Sequence, residues 1–88
     1  MRALLLGIVF ALVSTAAFAG PKCTSASKDK WLGEAAMKAK IAELGYKYKV
    51  FKVTSGNCYE IYGQNKNGQR VEVYFDPVTG NVHTEQKS

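Results

Sequence analysis

Apolar positions along the chain change period near residue 46. Between residues 34 and 44, Met37, Ile41 and Leu44 recur at i, i+4 and i+7, which predicts an amphipathic helix with a narrow apolar stripe that must face a sheet. Gly33 stands at its N-cap position, Glu34 puts a carboxylate where the helix dipole favours one, and Leu32 is placed to staple onto Met37. Gly45 is placed as a left-handed C-cap, with Tyr46 as its apolar partner against Ile41. Glu34 and Lys38 form an i,i+4 pair. Ala35, Ala39 and Ala42 line the opposite face, flat enough to receive a partner closely, although the helix propensity of alanine is the simpler account.

From residue 46 the pattern alternates with period two. Residues 46–53 are rich in aromatic and β-branched side chains, but the apolar phase moves from Tyr46 and Tyr48 to Phe51 and Val53, so either a bulge sits near Lys49-Val50 or one of these two sets is exposed. Ser55-Gly56-Asn57 turns the chain into a second strand, 58–63, and Asn65-Lys66-Asn67-Gly68 turns it into a third, 69–75. Asp76-Pro77-Val78-Thr79-Gly80 is a turn in which proline presets φ and glycine allows a left-handed exit toward a short strand at 81–84. These elements define an α+β fold, one helix packed on a three- to four-stranded antiparallel β-meander. The expected core is Met37, Ile41, Leu44, Phe51, Val53, Tyr59, Ile61, Val71, Val73, Phe75 and Val82. Glu60, Tyr62, Arg70, Glu72 and Tyr74 fall on the other sheet face, for which the chain offers no third layer.

The N-terminus bears on compartment. Arg2, the apolar run 3–13 and Ala17-Phe18-Ala19 form the three parts of a secretory signal, with cleavage expected after Ala19. The strongly apolar part is shorter than the roughly 20 residues a membrane-spanning helix needs. Loss of 19 of the 88 residues leaves 69, organised as a polar leader over 20–30 and one domain over 31–88. The localisation implied is periplasmic or secreted. A domain this small usually needs a staple, and exported proteins with two cysteines usually pair them. A Cys23–Cys58 disulfide is therefore expected; on the loop-entropy model it is worth roughly 3 to 4 kcal/mol. Their separation is far from the Cys-x-x-Cys spacing of redox-active pairs.

Charge and chemistry narrow the function. Twelve basic and seven acidic residues give +5, or +4 without Arg2. Lys47, Lys49 and Lys52 interleave with aromatics along the first strand, a pattern that can bind nucleic acid. Export makes that partner improbable, and lysines also protect edge strands from pairing. His83 is a lone histidine with no ligand cluster, so no metal is implied. Glu60 and Glu72 share a face, yet neighbouring Arg70 and lysines offer ion-pair partners and no cleft is implied for acid-base work. No catalytic residue and no cofactor follows from the pattern, and membrane contact is at most peripheral.

Leu44-Gly45-Tyr46, Cys58-Tyr59-Glu60-Ile61 and the run from Asn67 through Asp76-Pro77-Val78-Thr79-Gly80 to Val82 resemble the PepSY domain family over residues 31–83. In that family such domains occur in propeptides of thermolysin-like metallopeptidases, in membrane-attached bacterial proteins and as small exported single-domain proteins. The resemblance implies a non-enzymatic α+β binding module that inhibits or modulates a peptidase or another envelope protein. It makes Asp76, Pro77, Thr79 and Gly80 structural turn residues. Partner-binding residues are then expected on the uncovered sheet face: Tyr62, Arg70, Glu72 and Tyr74. The competing expectation is an electrostatic binder of anionic envelope lipid or polysaccharide, which raised salt would release.

Overall fold

A computed structural model describes residues 20–88; the expected signal segment, 1–19, lies outside the described residues. In chain order the elements are a 3-10 turn at Lys28–Lys30, helix α1 at Glu34–Glu43, and strands β1 at Lys47–Val53, β2 at Tyr59–Gln64, β3 at Arg70–Phe75 and β4 at Val82–Lys87. The strands pair in the order β1-β2-β3-β4, every neighbour antiparallel. The last strand is six residues long, and the helix stops at Glu43.

Helix α1 ends for the reason its sequence indicates. Gly45 adopts φ 89°, its N–H donates to the Ala42 carbonyl at 3.0 Å, and the Tyr46 N–H donates to the Ile41 carbonyl at 3.3 Å. That pair of bonds is the Schellman arrangement. Tyr46 then packs edge-on against Phe75, ring centroids 5.8 Å apart. On the exposed side the Glu34–Lys38 ion pair forms at 3.1 Å. Ala35, Ala39 and Ala42 are exposed.

The core comprises Met37, Ile41, Tyr59, Ile61, Val71, Val73 and Phe75, with Trp31, Leu32, Tyr46, Tyr48 and Phe51 packed against it. Three expected members differ: Leu44, Val53 and Val82 are 41, 47 and 41 % exposed. A ten-residue helix is only about 15 Å long, and α1 buries just Met37 and Ile41. It covers the middle of the sheet and leaves Val53 and Val82, on the two edge strands, uncovered. Leu44 is the C-cap residue, where the chain turns off the stripe.

The phase change in β1 is resolved by a register shift between Tyr48 and Val50. It puts Tyr48 and Phe51 on the helix side together, as their packing on the core shows. Gly63 makes this possible: a Cβ there would lie 1.9 Å from the Lys47 carbonyl oxygen and 2.6 Å from Tyr48 Cα. Between β2 and β3, only Gly68 takes a positive φ, 78°, and the Asn65 side-chain oxygen accepts the N–H groups of Asn67 and Gln69. The Asn-Gly pair thus uses one left-handed residue instead of two.

The turn after β3 also anchors the helix. Asp76 Oδ1 accepts the N–H of Val78 at 2.8 Å, and the Gly80 N–H donates to the Asp76 carbonyl at 2.7 Å. Pro77 is buried, and its carbonyl accepts the Leu32 N–H at 2.8 Å. Tyr59 completes the tie by donating its hydroxyl to the Leu32 carbonyl at 2.6 Å.

The segment before α1 supplies what the sheet seemed to lack. Cys23 and Cys58 form a disulfide with Cα atoms 5.1 Å apart. The Cys23 N–H donates to the Gly56 carbonyl at 2.9 Å, and Asn57 Nδ2 donates to the Thr24 carbonyl at 3.3 Å. Gly20 lies directly on Tyr74: a Cβ on it would be 2.8 Å from the ring. The expectation that nothing in the chain covers the second sheet face is therefore corrected. The stapled segment covers one end of it, because the disulfide starts on that side of β2.

Candidate functional site

Strand alternation sends Glu60 and Tyr62 of β2, and Arg70, Glu72 and Tyr74 of β3, to the face away from the helix. The register sets Glu60 opposite Tyr74, Tyr62 opposite Glu72 and Gln64 opposite Arg70. On the flanking strand, Val50 lies opposite Tyr62 and Lys52 opposite Glu60. Two recesses open on this face and share Tyr62 and Glu72. The larger, about 560 Å³, runs between β1 and β3 and is bordered by Lys47, Lys49, Val50, Tyr62, Gln64 and Arg70. The smaller, about 330 Å³, is bordered by Lys52, Thr54, Ser55, Glu60, Tyr62, Glu72 and Tyr74.

The four expected partner-binding residues share this face but not one environment. Tyr62 is 43 % exposed and Arg70 is exposed, Glu72 is half-buried, and Tyr74 is only 3 % exposed. Gly20 lies on the Tyr74 ring, so Tyr74 packs within the domain and presents little surface, at the border of the smaller recess. What remains accessible is Tyr62, Arg70 and Val50, the last 44 % exposed.

The buried end holds a carboxyl pair. Glu60 is 2 % exposed. Lys52 Nζ stands 3.8 Å from Glu60 Oε1, beyond hydrogen-bond range, and the Glu60 carboxyl lies in hydrogen-bonding contact with Glu72 and with the Tyr74 hydroxyl. Burial raises the Glu60 carboxyl to about 7, and contact with Glu72 adds to the effect, since two carboxylates in contact cannot both ionise freely. Glu72 is lowered by the reciprocal hydrogen bond from Glu60 and by the Tyr74 hydroxyl, which donates to Glu72 Oε2 at 2.7 Å. Of the two carboxyls, Glu60 is therefore the one that takes up a proton first as pH falls. Tyr74 is raised by burial first and then by Glu72; Tyr62 is raised chiefly by the Glu60 charge. Lys52 also sits over the Tyr62 ring, 5.2 Å from its centroid.

Sequence pattern placed Glu60 and Glu72 on one face but pointed to solvent and ion pairing there. Alternation contains no signal for the burial, which the tertiary surroundings decide. Of the basic residues on β1, Lys52 turns to the carboxyl pair, while Lys47 and Lys49 border the larger recess. His83 is exposed, its Nδ1 2.8 Å from Thr84 Oγ1. Among the described residues no group of three or more His, Cys, Asp or Glu side chains could hold a metal, and no helix is long and apolar enough to cross a membrane.

A helix laid on a four-stranded meander, with an accessible apolar and basic face opposite it, defines a small α+β domain built around a sheet surface. The chain matches the family described as the peptidase propeptide and YPEB domain, a PepSY family, over residues 3–86, and belongs to it. Membership fits a propeptide-like or peptidase-inhibitor-like module. No curated protein and no solved structure shows a significant match to it.

Proposed function

We propose that this protein is a non-enzymatic, exported binding module that modulates a peptidase or another envelope protein through the open sheet face between β1 and β3. One observation carries the reading: Tyr62 and Val50 remain more than 40 % exposed above a recess of about 560 Å³ bordered by Arg70. Tyrosine and arginine anchor interfaces because each combines apolar area with a directed polar group, and both stay exposed although Lys52 lies over the Tyr62 ring. Family membership supports a protein as the partner. Lys47 and Lys49 beside Arg70 favour a second reading, in which the same recess takes an anionic lipid or polysaccharide.

Photo-crosslinking discriminates. A photoreactive residue in place of Tyr62 traps a defined protein, one in place of Ala39 on the helix does not, and the adduct persists at raised salt. Loss of the adduct at raised salt, or equal yield from both positions, overturns the proposal; recovery of lipid or polysaccharide alone favours the second reading.

A further inference from the structure

The larger recess carries an imbalance of charge. Lys47, Lys49 and Arg70 border it and are exposed, and among the described residues none of the three makes an ion pair or a side-chain hydrogen bond; the two ion pairs, Glu34–Lys38 and Lys52–Glu60, lie outside it. Lysines on β1 blunt an edge strand, but Arg70 stands on β3, which has partners on both sides, so edge protection does not account for it. The one carboxylate on the border, Glu72, accepts from the Tyr74 hydroxyl and contacts Glu60. Register then divides the recess into rows. Lys47, Gln64 and Arg70 stand abreast in one, and Val50, Tyr62 and Glu72 in the next, because the shift between Tyr48 and Val50 sets Val50 opposite Tyr62.

We propose that this recess recognises an extended segment of the protein partner in which an aspartate or glutamate stands two residues from an apolar side chain, the carboxylate seated by Arg70 and Lys47 and the apolar group on Val50 and Tyr62. The proposal rests on the open face being the binding face. Gln64 to Tyr62 and Arg70 to Glu72 are two-residue steps along their strands, so the rows lie about 7 Å apart. Side chains on one side of an extended segment have the same spacing, and a segment lying along the strands meets both rows at once. A guanidinium takes both oxygens of a carboxylate in parallel, while a lysine adds charge without direction. Tyr62 stays 43 % exposed and Val50 44 %, which leaves apolar area for the second contact. Glu72, at the end of the apolar row, repels an acidic residue placed there and so fixes which row takes the acid.

Calorimetry on the disulfide-intact protein tests it with blocked hexapeptides carrying leucine and glutamate two residues apart, in each order, beside the same peptides with glutamine in place of glutamate. In one order or both, the glutamate peptide binds about tenfold more tightly at low ionic strength, and raised salt narrows that preference. Alanine in place of the leucine weakens binding about threefold or more. Arg70→Gln abolishes the preference for glutamate, and Arg70→Lys keeps only part of it, because the charge remains while the fork is lost. Lys30→Gln removes an equal charge from the turn before α1 and leaves the preference intact. Equal affinity for the glutamate and glutamine peptides, a preference that survives Arg70→Gln or falls equally with Lys30→Gln, or no binding by any peptide overturns the proposal. Binding to phosphatidylglycerol vesicles in place of the peptides does the same. Crosslinking from Tyr62 reads the open face separately, so a protein adduct beside a failed glutamate preference would reject the acidic segment and leave the face standing.

Discussion

Substitution of Glu60 by glutamine should make the protein more stable above neutral pH and leave it nearly unchanged near pH 5. The carboxyl rises from an ordinary 4.5 to about 7, with burial the larger cause and Glu72 the next. A raised carboxyl binds its proton more tightly in the folded state. Its stabilisation is complete below the unfolded value of 4.5 and is lost as pH climbs through about 7. At about 1.4 kcal/mol per tenfold change in proton affinity, the loss approaches about 3 kcal/mol. Half-exposed Lys52, able to move toward the ionised carboxylate, brings the expected figure to about 2 kcal/mol. Glu72 acts in the opposite sense: being lowered, it stabilises above the usual carboxylate range and withdraws that contribution as pH falls through its folded value. The pair titrates together, so maximum stability belongs near pH 5. Urea unfolding of the oxidised protein between pH 4 and 9 measures this. Wild type should lose about 2 kcal/mol between pH 5 and pH 8.5, and Glu60→Gln should lose little. A wild-type profile that is flat or rises across that window, or a parallel profile in the variant, would refute this account.

Other consequences are simpler to measure. Replacing both Cys23 and Cys58 by serine removes the staple, and equilibrium unfolding should show a loss of roughly 3 to 4 kcal/mol. The same variant should let the Tyr74 ring, now beneath Gly20, become accessible to a tyrosine-modifying reagent. Gly63→Ala places a methyl group 1.9 Å from the Lys47 carbonyl oxygen and should cost about 2 kcal/mol or more in thermal unfolding. Asp76→Ala deletes the acceptor for the Val78 N–H and loosens the turn that holds Leu32, with an expected loss of about 1 to 2 kcal/mol. Tyr46→Phe removes the hydrogen bond to Glu85 between exposed groups and should change stability by less than about 1 kcal/mol.

Local elements were legible because their causes are local. The Met37 and Ile41 stripe, the Gly45 stop, the Lys49 irregularity and the Asp76–Gly80 turn each follow from periodicity or backbone geometry within a few residues. Leu44, Val53 and Val82 were misjudged as core because an apolar side chain states only what it would bury, and a short helix cannot cover both sheet edges. The open face was legible as a set of residues, since strand alternation is strict. Its division into an accessible half at Tyr62 and a buried half at Tyr74 was not.

That division belongs to the tertiary structure. Two cysteines 35 residues apart announce a staple, but not which face the tethered segment crosses. Once Cys23 is joined to Cys58, Gly20 is laid over Tyr74. Sequence by itself determined the helix, the meander, the covalent staple and the residues of each face, because neighbours along the chain dictate them. Only the folded chain decided that one glutamate of that face would have its carboxyl pushed up to about 7, because the cost of a charge depends on everything that surrounds it.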